Sequence, residues 1–125
     1  MARPRLEEVF GAELPPVFGL GDGNLANYLW DGSRVRLVDF EYSGRGDLAY
    51  ELAEAVEHVS AWVGDAVDAT ALLSYFELTA AESARLVECR RLLALFWFQR
   101  LLAEDPARPH TLVRQAGRLL ALLGG

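Results

Sequence analysis

The sequence predicts an α+β fold that is mostly helical, in which a small β-hairpin carries loops and about four helices back it. Three observations predict this. Two short apolar runs, Tyr28 to Trp30 and Val35 to Phe40, flank Asp31-Gly32, a dipeptide suited to a tight hairpin turn. From Asp47 onward the apolar residues recur at helical spacing. Asp47, Asp68 and Thr79 stand as capping residues ahead of those helical stretches.

In chain order, Leu6 to Phe10 predicts a short helix ended by Pro15-Pro16, and Val17 to Leu20 a short strand. Residues 21–27 hold polar groups and two glycines and predict a loop. The hairpin follows, and Glu41 to Gly46 predicts a second loop. Leu52, Val56, Val59 and Val63 then make one apolar helical face behind the Asp47 cap, with Gly64 as the stop. Asp68 caps a short helix through Phe76. Thr79-Ala80-Ala81-Glu82 is a capping box opening a long helix from about Ala80 to Ala103. The middle of that helix, Leu92 to Phe98, is apolar on nearly all sides and predicts burial. Pro106 and Pro109 break the chain before a last helix from about Thr111 to Leu123, stopped by Gly124.

The 125 residues fit one domain spanning 1–125, and a 52% hydrophobic share is enough for a buried core. A formal net charge of −6 disfavours nucleic acid as a partner, because phosphate backbones need a basic face. The one cysteine, Cys89, excludes an intrachain disulfide and reads as a small buried side chain, and a reducing, cytoplasmic location is expected. No apolar run approaches the roughly 20 residues of a membrane span, and no secretory signal opens the chain.

The candidate chemistry lies in Gly21-Asp22-Gly23-Asn24-Leu25-Ala26-Asn27 and Val38-Asp39-Phe40-Glu41. Asp22 and Asn27 sit on a loop beside an apolar strand, where their simplest role is turn hydrogen bonding. A calcium loop is excluded, since Ala26, Asn27 and Ser33 stand where a ligand, a glycine and a glutamate are needed. Asp39 ends an apolar strand, a place where β propensity disfavours a carboxylate. An Asn and an Asp across one hairpin, with phosphate and water oxygens, suit Mg²⁺, which prefers few protein ligands. With Asp22 they form a candidate phosphoryl-transfer set. Elsewhere, His58 follows Glu54 and Glu57 on a predicted helix and reads as a surface or core polar residue. His110 reads as a loop residue, and Trp62 and Trp97 as core.

Val17 to Leu52 resembles the catalytic segment of the aminoglycoside phosphotransferase and choline kinase-like families, small-molecule kinases with a protein-kinase-like fold. Their pattern is His-Gly-Asp-x-x-x-x-Asn, then Ile/Val-Asp-Phe/Trp-Glu, then Gly-Asp-x-x-Tyr/Phe-Asp-Leu-Ala. Here the blocks read Leu20-Gly21-Asp22 through Asn27, Val38-Asp39-Phe40-Glu41, and Gly46-Asp47-Leu48-Ala49-Tyr50-Glu51-Leu52-Ala53. The resemblance implies a protein-kinase-like C-terminal lobe with Asp22 as catalytic base and Asn27 and Asp39 as Mg²⁺ ligands for ATP. It implies support from Asp47 and Glu41, and a small hydroxyl compound as acceptor. Leu20 stands where the family has a His. The chain has no lysine and no phosphate-cradling glycine loop ahead of the strands. The expectation is therefore a catalytic-lobe fragment without its amino-terminal nucleotide-binding lobe. Half of a split enzyme, paired with a separate lobe or self-associating, is one alternative, and an inactive binding module is another. A split enzyme predicts an exposed apolar surface around Val17 to Leu20 and Phe40.

Overall fold

The structure, a computed structural model, describes residues 4–104 and 108–124. The elements follow in the order α1 (Leu6–Gly11), β1 (Pro16–Gly19), a 3-10 turn (Leu25–Asn27), β2 (Tyr28–Trp30), β3 (Val35–Leu37), β4 (Gly44–Asp47), α2 (Leu48–Glu57), α3 (Val59–Trp62), α4 (Ala69–Ser74), α5 (Ala80–Glu104) and α6 (Pro109–Gly124). The mixed but mostly helical composition agrees with the sequence. The predicted break at Pro106 lies outside the described residues. His110, expected in a loop, falls in the first turn of α6.

β2 and β3 form the predicted antiparallel hairpin, with Tyr28 opposite Leu37 and Trp30 opposite Val35. Its turn is closed by the Asp31 carboxylate, which accepts from the amides of Ser33 and Arg34 at 2.9 Å each. Gly32 supplies the positive φ of 98° that the turn demands. Two expectations are corrected here. The second strand ends at Leu37 rather than Phe40, because Asp39 takes φ 64° and turns the chain out of the ladder. And Glu41 to Gly46 is not wholly a loop, since Gly44–Asp47 is β4, antiparallel to β1 from Pro16↔Asp47 to Gly19↔Gly44. Glycines have low strand propensity, so this pairing depends on its distant partner and is hidden locally.

Asp47 caps α2, its Oδ1 accepting from the Tyr50 amide at 2.9 Å. The single helix expected to run to Gly64 is instead broken at His58, whose ψ of 137° leaves the helical region. The His58 ring then caps α3 by accepting from the Ser60 amide at 3.1 Å. Leu52 and Val56 are buried as their spacing predicts, whereas Val63 is exposed. At α5 the capping box is reciprocal, with Thr79 N–H to Glu82 at 3.0 Å and Glu82 N–H to the Thr79 hydroxyl at 3.1 Å. Thr79→Ala is expected to cost about 1 kcal/mol, read as a lower urea midpoint with an unchanged slope.

The core lies where α5 crosses α2. Ala49, Leu52, Ala53, Leu86 and Cys89 are its buried centre, with Leu48, Leu73 and Leu93 packed on it. The two alanines let the helices approach closely, and Cys89 is buried as expected. The Leu92 to Phe98 stretch departs from expectation. Ala94 is fully buried, but Leu92, Leu95 and Phe96 are exposed. α5 packs mainly against α2 and α6, so a helix apolar all round leaves its remaining faces uncovered. Polar anchors finish the assembly. Gln115 of α6, fully buried, donates to the Ala94 carbonyl at 2.8 Å. Arg85 of α5 donates to the Val9, Phe10 and Ala12 carbonyls and to Asp47, fastening α1 to the head of α2. Among the described residues no helix is long and apolar enough to cross a membrane.

Candidate active site

The loop between β1 and β2 carries Asp22 between two glycines whose surroundings leave no room for a side chain. Gly21 has φ 71°, and a Cβ there would strike the Tyr42 carbonyl. A Cβ on Gly23 would strike the Glu54 backbone carbonyl. The loop is held by α2 and α3 through its own amides. Gly21 N–H donates to Glu51 at 3.4 Å, Gly23 N–H to Glu54 at 3.3 Å and Leu25 N–H to the Ser60 hydroxyl at 3.0 Å. Burial raises the Glu54 pKa, against the lowering effect of the Tyr50 hydroxyl and Gly23 amide bonds. Backbone donors that would otherwise be idle thus fix the loop on a rigid helix pair.

Asp22 itself accepts from the Asn24 amide at 3.0 Å, and its Oδ1 lies 3.9 Å from His58 Nε2. It lines a cleft of about 610 Å³, together with Asn24, Tyr42, Glu54, His58, Trp97, Arg100 and Glu104. Carboxylates and ring faces share this cleft with one cation, Arg100, which lies over Trp97 at 5.5 Å and bonds Glu104 at 2.7 Å.

Asn27 ends the 3-10 turn and is buried. Its carbonyl accepts from the Val38 amide at 3.0 Å, extending the hairpin register and setting Asp39 one residue beyond that pair. The hairpin therefore sets the backbones of Asn27 and Asp39 near one another, while neither residue lines the Asp22 cleft. The buried Asn27 side-chain nitrogen has no hydrogen-bond partner among the described residues. Asp39 is exposed, and its carboxylate makes no hydrogen bond or ion pair among the described residues. Asp39 takes a left-handed φ of 64°, a conformation that Asp adopts more readily than most residues and that Asp65 (φ 52°) shares. An amide and a free carboxylate fit Mg²⁺ shared with phosphate oxygens. Among the described residues no three His, Cys, Asp or Glu side chains are grouped as a metal cage.

The supporting residues divide differently from expectation. Asp47 caps α2 and pairs with Arg85 at 3.2 Å, while the bonds to the loop amides come from Glu51 and Glu54. Glu41 is exposed and has no side-chain partner among the described residues. Leu20, in place of the family's His, is buried. Residues that the sequence did not assign to the site are Glu51, Glu54, His58, read as a surface or core polar residue, and, from α5, Arg100 and Trp97, the last read as core. A signal for the first three existed. Glu51, Glu54 and His58 recur at helical spacing and form one polar stripe along α2 and its C-terminal cap.

A carboxylate on a glycine-flanked loop at the mouth of a polar cleft, followed by Asn, a hairpin and Asp, is the layout of the phosphotransferase class. The chain belongs to the APH family, the phosphotransferase enzyme family, whose model matches residues 2–87. The match takes in the loop, the hairpin, α2 to α4 and the opening turns of α5. Neither the curated proteins nor the solved structures yield a match.

Proposed function

We propose that this chain is the catalytic lobe of a small-molecule phosphotransferase with a protein-kinase-like C-terminal lobe. It transfers the γ-phosphoryl group of ATP to a hydroxyl of an aminoglycoside-like or choline-like compound. The observation that carries the reading is the placement of Asp22, locked by its neighbours' amides at the edge of a cleft large enough for a small acceptor. Asp22 accepts the hydroxyl proton as the acceptor oxygen bonds to the γ-phosphorus and the bridging P–O bond breaks, releasing ADP. Asn27 and Asp39 would hold Mg²⁺, which would supply neutralisation of charge on the phosphate oxygens. Glu51, Glu54 and Ser60 keep the loop from moving as charge develops, so positioning is made before the reaction.

The chain contributes no lysine to the phosphates. A separate amino-terminal lobe is proposed to supply that charge and to cover the hairpin layer. The exposure of the aromatic residues Phe18 (71%), Trp30 (67%), Tyr42 (67%) and Phe40 (49%) on or next to the strands supports such a partner. Of the surface expected from the sequence, Phe18 and Phe40 are exposed and Leu20 is not. A cytoplasmic location, where ATP is available, is part of this proposal.

Calorimetric titration of the chain with ATP, with and without Mg²⁺, tests the reading. Binding is expected to require Mg²⁺ and to fall at least tenfold, about 1.4 kcal/mol, in Asp39→Ala. A folded sample that binds no nucleotide at millimolar concentration would overturn activity by this chain alone.

A further inference from the structure

Resting on the reading of Asp22 as the base, we infer that His58 is its positioning residue, presenting an Nε2–H to the carboxylate from the break between α2 and α3. The argument begins with the far side of the ring. His58 Nδ1 accepts from the Ser60 amide at 3.1 Å and lies 2.8 Å from the Ser60 hydroxyl. That hydroxyl already accepts from the Leu25 amide at 3.0 Å, which leaves its own proton free for Nδ1. An Nδ1 engaged by these donors is an acceptor, so in the neutral ring the proton is on Nε2. Nε2 is the atom that faces Asp22 Oδ1, at 3.9 Å. At 3.9 Å the pair is an electrostatic contact rather than a hydrogen bond, and catalytic pairs often shorten to hydrogen-bond length in the reacting complex.

The ring is fixed as well as tautomerically defined. His58 is buried, and Trp97 packs edge-on against it with centroids 4.7 Å apart. Burial lowers its pKa, the Asp22 carboxylate opposes that, and Arg100 adds to it. A neutral donor suits this position, because an imidazolium would draw electron density from a base that must accept a proton. The same Ser60 hydroxyl joins the ring to the loop, so His58, Ser60 and Leu25 form one connected support. Leu20 meanwhile packs inward. Polar support for the loop thus comes from His58, far along the chain, and not from the apolar Leu20 beside it.

Nitrogen-15 NMR of the whole chain tests this without reliance on turnover. The chain has two histidines, so His110 is an internal reference. His58 is expected as the Nε2–H tautomer, with an Nε2 resonance that moves in Asp22→Asn while that of His110 does not. An Nδ1–H tautomer, or an Nε2 resonance indifferent to Asp22→Asn, overturns the inference. In a phosphoryl-transfer assay, His58→Leu is expected to lower kcat roughly 10- to 100-fold with KM for nucleotide unchanged. His58→Gln, which retains an N–H, is expected to recover most of it. Failure of the glutamine variant to recover, when it is folded by circular dichroism, counts against the inference. A wild-type chain without transfer but with the NMR coupling intact counts against transfer by this chain alone and supports the His58–Asp22 pairing.

Discussion

Replacing Glu57 by alanine is expected to remove about 3–5 kcal/mol of folding stability, the largest loss for any single side chain here. Glu57 is fully buried near the end of α2 and bonds Arg90 of α5 at 2.7 Å and Arg118 of α6 at 2.8 Å. One carboxylate thus joins three helices. Its removal leaves two guanidinium groups, each about three-quarters buried, facing one another without the charge between them. Arg118 retains a bond to the Val56 carbonyl at 3.3 Å and its place over Trp62, which softens but does not cancel the loss. A domain of this size has roughly 5–15 kcal/mol in total, so the variant is expected to approach the threshold of unfolding at 37 °C. Urea denaturation followed by circular dichroism gives the value. A change below about 1 kcal/mol, the range of solvated pairs, would show that water enters and screens this cluster.

The second large effect is on turnover. Asp22→Asn is expected to lower kcat by about 10²- to 10⁴-fold. The amide can still accept from the Asn24 amide, now at 3.0 Å from Oδ1, so the turn survives while proton acceptance is lost. Affinity for Mg-nucleotide is expected to stay at the wild-type value, because Asn27 and Asp39 stand on the hairpin away from the cleft. This separates Asp22 from Asp39, whose replacement acts on binding. Parallel calorimetry and steady-state kinetics of the two variants make the distinction. Equal losses of binding and turnover in Asp22→Asn would assign Asp22 to holding the ligand.

What the sequence disclosed follows from the range of the interactions involved. Asp47, Asp68 and Thr79 with Glu82 were legible because a cap and its amide lie within three residues. The Asp31-Gly32 turn was legible for the same reason. β4 was not, since a Gly-Arg-Gly-Asp strand exists only through β1. The break at His58 was hidden because Val59 and Val63 keep the apolar period of α2 across it. Glu57 reads as a surface residue in any local window, and only its partners from α5 and α6 make its burial tolerable. The site divides in the same way. Asp22, Asn27 and Asp39 announce themselves by residue type and spacing, whereas the cleft around Asp22 is closed by Trp97 and Arg100 from α5, distant in sequence. The exposure of Leu92, Leu95 and Phe96 shows the converse error, apolar character taken as burial where the described elements leave these side chains largely uncovered.

The close fit of Gly21 and Gly23 against the Tyr42 and Glu54 backbones has a bearing on how such a protein can diverge. Any side chain at either position must push main chain aside, so the base-bearing loop is closed to gradual variation. The opposite wall, Phe96, Trp97, Arg100 and Glu104, lies along one partly exposed stretch of α5, where exchanges alter cleft shape and charge without touching the loop. Chemistry and ligand choice therefore sit on separate inheritable units, one frozen by backbone contact and the other open to drift, and a new specificity can arise on α5 with Asp22 left where it is.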